Sequence, residues 1–205
     1  MQKIFLLILF FTFSFNTLSQ NSNERKLFSL DGNDIGGYIG FNGRLTTVNS
    51  LSAGLIDLRI AVVVNKNWAF GFNTSGLLND RHLNTLVKDD VYHLMGSYQG
   101  LFIERIFEIN NDFRYSFSIM IGQGNAKYEY CRSVIADKKW YEEIIDQTDF
   151  YIIQPTFDIY YNLFDNFWFG LNAGFNLTTS IRMMETDEAL LNKANGGLSL
   201  KYGLF

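Results

Sequence analysis

Residues 113–122 read "FRYSFSIMIG", and apolar and polar side chains alternate along this stretch. The odd-numbered positions are all apolar: Phe113, Tyr115, Phe117, Ile119 and Ile121. The even-numbered positions are mostly polar or small: Arg114, Ser116, Ser118, Met120 and Gly122. Because successive side chains of a β-strand point to opposite faces, the stretch predicts a strand with one apolar and one polar face.

The same alternation recurs along the chain, clearest at 56–64, 151–161 and 169–178. Eight strands are predicted in all, at 35–48, 52–64, 68–78, 92–107, 112–128, 149–163, 167–182 and 195–205. Pro155 fits the sixth strand badly, because proline has no N–H to donate to a sheet ladder. We therefore expect a β-bulge at Pro155, or a strand boundary close to it.

The connections between these strands differ in length. The second, fourth and sixth links are tight: "NKN" at 65–67, "EINND" at 108–112 and "FDN" at 164–166. The third, fifth and seventh are long, at 79–91, 129–148 and 183–194. Short turns at one end and longer loops at the other are typical of outer-membrane barrels, which also have an even strand number. The sequence thus predicts an all-β fold, an eight-stranded antiparallel up-and-down transmembrane β-barrel.

Aromatic side chains collect near the predicted strand ends, where a membrane barrel has two interfacial girdles. Six flank the tight turns: Trp68, Phe107, Phe113, Phe164, Phe167 and Trp168. Five lie near the long loops: Tyr92, Tyr128, Tyr130, Phe150 and Tyr151. The alternative is that these rings form the core of a soluble protein.

The amino terminus predicts export. Lys3 precedes an apolar run from Ile4 to Phe15 and small residues follow, the pattern of a cleaved signal peptide. The run is too short for a membrane-spanning helix, which needs roughly 20 apolar residues. We expect a signal peptide at 1–19, a short periplasmic segment at 20–34 and an outer-membrane barrel domain at 35–205, in a Gram-negative bacterium.

Composition argues against several functional classes. The formal net charge of −4 disfavours a nucleic-acid partner, which requires a basic face. Cys131 is the sole cysteine, and the two histidines, His82 and His93, lack metal-ligand spacing. With no phosphate-binding motif either, the sequence predicts no cofactor and no enzyme activity. The alternative is a barrel enzyme that acts on outer-membrane lipid through His93 and a residue of a neighbouring strand.

The last residues, "NGGLSLKYGLF" at 195–205, resemble the carboxy-terminal assembly signal of outer-membrane β-barrels. The matching positions are Asn195, Gly197, Leu200, Tyr202 and the terminal aromatic Phe205. Tyr202 and Phe205 differ in parity, so the final aromatic is one step out of the usual register. The resemblance implies recognition by the barrel-assembly machinery during insertion.

Most of the mature chain resembles a family of small, uncharacterised outer-membrane β-barrel proteins of Gram-negative bacteria. The resemblance is carried by "NKNWAFGF" at 65–72, "YQGLFIERIF" at 98–107, "SIMIGQGNAKY" at 118–128 and "GGLSLKYGLF" at 196–205. It implies the fold and the location, and the family has no established activity to transfer.

If the apolar parity faces lipid, the polar parity faces the lumen. The predicted lumen residues are Asn42, Arg44, Asp57, Arg59, Asn73, Glu104, Arg114, Gln154, Thr156, Asp158, Asn172, Asn176 and Lys201. An eight-stranded barrel is just wide enough for side chains to fill it, and charges enclosed there need partners. Turn positions place Asp57 across from Asn42 and diagonal to Arg44, Arg59 opposite Asn73, and Glu104 near Arg114.

Two interpretations of this polar lumen remain, an ionic plug that seals the barrel and a path for binding or conduction. We favour the plug, and with it a non-enzymatic role in surface interaction or envelope structure. The expected contacts are outer-membrane lipid and an unknown extracellular partner at loops 79–91, 129–148 and 183–194. Trp140 and Tyr141 would either anchor such a partner or lie on the outer leaflet. A soluble, lipocalin-like barrel that binds an apolar ligand is the remaining alternative, and it requires the apolar parity to face inward.

Overall fold

The computed structural model describes residues 35–48, 51–78, 92–134, 139–164, 166–183 and 188–204. The predicted signal peptide, the periplasmic segment, loop 79–91 with His82, and Phe205 lie outside these ranges. The strands are β1 (Ile35–Val48), β2 (Leu51–Val64), β3 (Trp68–Leu78), β4 (Tyr92–Glu108), β5 (Phe113–Val134), β6 (Lys139–Phe164), β7 (Phe167–Phe175), β8 (Leu177–Thr178) and β9 (Ala194–Leu204). Within the described residues, no helix has the length and apolar character needed to cross a bilayer.

The strands close into a ring. Each strand from β1 to β6 pairs antiparallel with the next strand in sequence. The pairing of β7 with β9 and of β9 with β1 then completes the ring. The two-residue strand β8 also pairs with β6 and continues the line of β7. With β7 and β8 counted as one interrupted strand, the ring has eight members, and the predicted fold class is confirmed.

The prediction of a loop at 129–148, between the fifth and sixth strands, is wrong. Instead, β5 continues to Val134 and β6 begins at Lys139, and these two residues are paired with each other. One register shift, between Tyr128 and Glu129, accompanies the extension. The segment is rich in aromatic and β-branched residues, which favour strands even where strict alternation has ended. The result is a long β5–β6 hairpin, which β4 accompanies as far as Tyr130 and whose last four residue pairs, Cys131–Val134 with Lys139–Glu142, extend past β4.

Pro155 does not cause the predicted bulge. It pairs in register with Ile119 of β5, and the shifts along β6 lie elsewhere. On the opposite side, the pairing of β6 with β7 ends at Thr156 and that with β8 resumes at Ile153 in the same register. The missing N–H thus coincides with an interruption of the neighbouring ladder, at the junction of β7 and β8.

The two faces of the barrel have opposite character. Ile60, Phe117 and Leu171 are 53%, 47% and 60% exposed, whereas Arg59 and Asp158 are 2% and 0% exposed. On β5 the outward positions from Phe113 to Ile121 are all apolar, a span of nine residues. A transmembrane β-strand needs about 9–11 residues. This orientation contradicts the lipocalin-like alternative, in which the apolar rows would face the lumen.

Aromatic pairs surround the tight turns on the outer surface. Phe107 stacks on Tyr115 with ring centroids 4.8 Å apart, and Phe164 stacks on Phe167 at 5.1 Å. Trp168, expected in this girdle, is buried instead, with the Arg114 guanidinium 4.5 Å from its ring centroid.

The girdle predicted at the long-loop end is wrong in part. Tyr128 and Phe150 are buried, because their even parity on β5 and β6 directs them inward. Tyr151, at odd parity, points outward. The side chains of Tyr92 and Tyr130 lie outside the description.

Gly122 provides a test of how closely β4 and β5 approach. A Cβ added at Gly122 would lie 2.0 Å from the carbonyl oxygen of Gln99, whereas a Cβ at Gly43 would meet no atom within 4 Å. We expect Gly122→Ala to lower the free energy of unfolding by about 1–3 kcal/mol, the usual cost of overpacking. Gly43→Ala is the control and should be near neutral in urea unfolding from lipid vesicles. Equal effects of the two substitutions would contradict this close approach.

Candidate functional site

The structure buries every charged or amide side chain predicted for the lumen site. Ten of them are each at most 9% exposed: Asn42, Arg44, Asp57, Arg59, Asn73, Glu104, Arg114, Asp158, Asn172 and Lys201. They come from β1 to β7 and β9, on the parity opposite to the exposed apolar rows. Nine of the ten belong to polar groupings deep inside the barrel, and Arg114 lies apart from them.

The Glu104 cluster consists of Tyr38, Glu104, Ser116, Tyr160 and Lys201. The Lys201 ammonium donates to Glu104 Oε1 at 2.7 Å, and the Ser116 hydroxyl donates to the same oxygen at 2.5 Å. The Tyr38 hydroxyl donates to Glu104 Oε2. The ammonium also lies 4.4 Å and 4.0 Å from the ring centroids of Tyr38 and Tyr160. Because the ion pair and the rings are desolvated here, each contact is stronger than it would be at a solvent-exposed surface.

Lys201 and Glu104 meet across the lumen, since β9 and β4 are not neighbours in the ring. Lys201 is paired with Gly40 of β1, and a Cβ added at Gly40 would be 3.4 Å from the Lys201 Cγ. The lysine stem therefore runs past Gly40 at van der Waals distance.

The expected proximity of Glu104 and Arg114 is wrong. The β4–β5 register places Glu104 opposite Ser118 and Arg114 opposite Glu108, because the hairpin is centred on residue 111 rather than 110. Arg114 forms an ion pair of 3.9 Å with Glu108 at the tight-turn end. Ser116, and not Arg114, occupies the position on β5 that is diagonal to Glu104.

The Arg44 cluster consists of Arg44, Asp57, Tyr98, Gln154 and Asn195. Arg44 pairs with Asp57 at 2.6 Å, and donates to Asn195 Oδ1 at 2.8 Å and to the Tyr98 hydroxyl at 3.1 Å. The Gln154 side-chain amide lies 3.0 Å from the same hydroxyl. β1 and β2 have the register expected from the sequence, with Asp57 opposite Asn42 and two residues from the position opposite Arg44.

Arg59 lies between the two clusters. Its guanidinium is 3.6 Å from the Asp158 carboxylate and its Nε donates to Asn73 Oδ1 at 3.3 Å. Asn73 is paired with Arg59, and Asn172 with Asp158, in the strand registers. The buried charges of the two clusters and this pair are balanced, with Arg44, Arg59 and Lys201 against Asp57, Glu104 and Asp158.

An apolar cap adjoins this polar interior. In the link between β8 and β9, the side chains of Ile181, Met183, Leu190 and Leu191 are buried. They belong to one buried apolar cluster with Phe150 and other inward residues. Backbone bonds hold the link, including Ile181 N–H to the Glu188 carbonyl at 3.0 Å and Asn176 N–H to the Lys193 carbonyl at 3.1 Å. The described part of predicted loop 183–194 thus covers the barrel interior with its apolar side chains.

Sequence reasoning missed the three lumen tyrosines and the cap. Tyr38, Tyr98 and Tyr160 share the inward parity of their strands, so parity alone could have placed them inside. The cap has no such signal, because residues 179–183 and 188–193 form no regular strand.

The described residues hold no group of three or more His, Cys, Asp or Glu placed to bind a metal ion. His93 is paired with Glu129 and Cys131 with Glu142, but neither side chain is part of the description.

The described assembly-signal residues, Asn195, Gly197, Leu200 and Tyr202, lie on β9, which closes the ring between β1 and β7. Asn195 is buried, Leu200 and Tyr202 point outward, and Gly197 lies against the Gly43 backbone. Their role in assembly stays a prediction.

Comparison with solved structures bears on the fold. The structure is similar to Neisserial surface protein A, with a TM-score of 0.55 and 8% sequence identity over 83% of this chain and 96% of that one. The chain has the fold of a small outer-membrane β-barrel.

Two other solved barrels are similar at lower scores. Ail, the attachment invasion locus protein of Yersinia pestis, has a TM-score of 0.47 at 12% identity, covering 83% of this chain and 99% of that one. The N-terminal barrel domain of Pseudomonas aeruginosa OprF has a TM-score of 0.44 at 11% identity, covering 82% and 99%. No protein-family model and no curated protein sequence matches the chain.

Proposed function

We propose that the protein is an exported outer-membrane barrel with a plugged lumen and a non-enzymatic role in surface interaction or envelope structure. The observation that carries the proposal is the balanced set of buried charges inside the barrel. Each charge has an opposite partner within 3.6 Å, and the interior of an eight-stranded barrel is of side-chain width. The apolar cap adds a second barrier that a hydrated ion would have to cross.

The outer surface supports the location in the outer membrane of a Gram-negative bacterium. Outward rows such as Ile39, Ile60, Phe117 and Leu171 would be costly in water and are favoured against hydrocarbon. A signal peptide at 1–19 and recognition of β9 by the barrel-assembly machinery complete this proposal.

The β5–β6 hairpin is the proposed interaction surface. The apolar outward positions of β5 end at Ile121, and the pairing of β5 with β6 continues for 13 more residues to Val134. In a membrane barrel this extension projects beyond the bilayer on the side opposite the tight turns. Loop 79–91 stays a proposed contact, whereas the link that forms the cap offers less free surface because its apolar side chains are buried.

We expect the purified protein to produce no ion-conducting steps in planar lipid bilayers. The reason is that we expect the paired side chains and the cap to interrupt any water column, whereas a porin of about 16 strands has an open lumen. Single-channel recording measures this directly, with such a porin as the positive control in the same lipid. Discrete, reproducible conductance steps from folded protein would overturn the plugged-lumen proposal in favour of a conduction path.

A further inference from the structure

A polar groove crosses the outer surface of β3 to β6, away from the lumen. One outward row runs through paired positions of the four strands: Thr74, Gln99, Gln123 and Tyr151. The next row, away from the tight turns, contains Gly76, Ser97, Asn125 and Asp149. The groove is half open and has a volume of about 410 Å³; of these residues all but Gly76 line it, together with Tyr98, Gly124 and Phe150.

The groove begins where the apolar belt ends. On β4 the outward positions Ile103 and Leu101 are followed by Gln99, and on β5 Ile119 and Ile121 are followed by Gln123. In a membrane-spanning barrel, this boundary lies at the interface on the long-loop side. The groove would therefore open toward lipid headgroups and the adjoining water.

Glycine lies on the inner side of the sheet beneath the groove. A Cβ added at Gly100 would lie 2.4 Å from the Ile121 carbonyl oxygen, so β4 and β5 approach too closely here for an inward side chain at this position. On the outer side, Ser97 has a small side chain, which leaves space in its row.

The lining has the chemistry of a site for an uncharged, hydroxyl-rich ring. Gln99, Gln123 and Asn125 provide amide donors and acceptors, and the Asn125 amide donates to Asp149 at 2.7 Å. Tyr151 is 71% exposed and offers an aromatic surface. The lining contains one carboxylate and neither lysine nor arginine, which disfavours phosphate and other anions.

We propose that this groove binds a saccharide, with an apolar face of one sugar ring against Tyr151 and its hydroxyl groups hydrogen-bonded to Gln99 and Gln123. The volume is in the range of small-molecule sites, about 300–1,000 Å³. The sugar could come from an outer-leaflet glycolipid or from a free oligosaccharide. The glycolipid source rests on the proposed outer-membrane location, whereas the groove itself does not.

The test is direct binding by protein folded in a detergent without a sugar headgroup. The probes are lactose, maltotriose and the dephosphorylated, lipid-free core oligosaccharide of lipopolysaccharide, each followed by saturation-transfer NMR. Intact lipopolysaccharide in mixed vesicles forms a separate arm. We expect at least one probe to bind, and Gln123→Leu and Tyr151→Ala each to weaken it about fivefold or more, since each removes one direct contact.

Gln147→Leu is the matched control, because Gln147 is an exposed amide of the same hairpin outside the groove. It should leave binding unchanged. Binding of the free sugars supports an oligosaccharide ligand, and binding of intact lipopolysaccharide alone supports a glycolipid. The proposal is overturned if no probe binds, or if Gln123→Leu and Gln147→Leu have equal effects. Bilayer recording on the same preparation separates this failure from failure of the plugged-lumen proposal.

Discussion

Replacing Glu104 with glutamine should lower the free energy of unfolding by about 3–5 kcal/mol, the cost of breaking a buried ion pair from one side. Glu104 is fully buried and accepts hydrogen bonds from Lys201 and Ser116. The substitution preserves size but leaves the Lys201 ammonium without its nearest counter-charge in a desolvated interior. Reversible urea unfolding in lipid vesicles, followed by tryptophan fluorescence, measures the loss.

Glu108→Gln is the matched control on the same strand. Glu108 is 49% exposed and its ion pair with Arg114 spans 3.9 Å, so its loss should cost less than about 1 kcal/mol. A double variant, Glu104→Gln with Lys201→Met, should recover much of the stability, because it removes the unpaired charge as well. If Glu104→Gln cost no more than Glu108→Gln, the Glu104 cluster would be too well hydrated to act as a plug.

The lumen residues could be predicted because parity is a local property. Arg59 and Asp158 each share a strand with apolar residues of the opposite parity, and no long-range information was needed to place them inside. The pairing register of two strands joined by a tight turn could be predicted from the sequence almost as well. Asp57 lies opposite Asn42 as expected, whereas a one-residue error in the β4–β5 turn centre placed Arg114 beside Glu104.

Contacts across the lumen could not be predicted in this way. Lys201 and Glu104 are 97 residues apart and lie on strands that are not neighbours, so their meeting depends on how the closed ring is staggered. The β5–β6 extension and the cap were missed for a related reason. Neither has clean alternation: the extension forms strands because its aromatic and β-branched residues favour them, and the cap is held by packing of its apolar side chains.

Introducing arginine at Leu171 should destabilise the barrel by about 2–4 kcal/mol in a bilayer, the cost of a cation on the lipid face near the midplane. Leu171 lies in the middle of β7, between the outward residues Ile159 of β6 and Leu198 of β9. Urea unfolding in vesicles, compared with the unsubstituted protein, gives the difference.

Ile144→Arg provides the control, because Ile144 is also about half exposed but lies in the β5–β6 hairpin beyond the apolar belt. Its cost should be about 0–1 kcal/mol, as for positions near or outside the interface. If both substitutions were nearly neutral, the outward apolar rows would have to face water, and the bilayer would have no part in the fold. A large loss at Leu171 alone instead requires hydrocarbon around that position. Hydrocarbon around the barrel would also explain why Arg44, Arg59 and Lys201 all lie inside it.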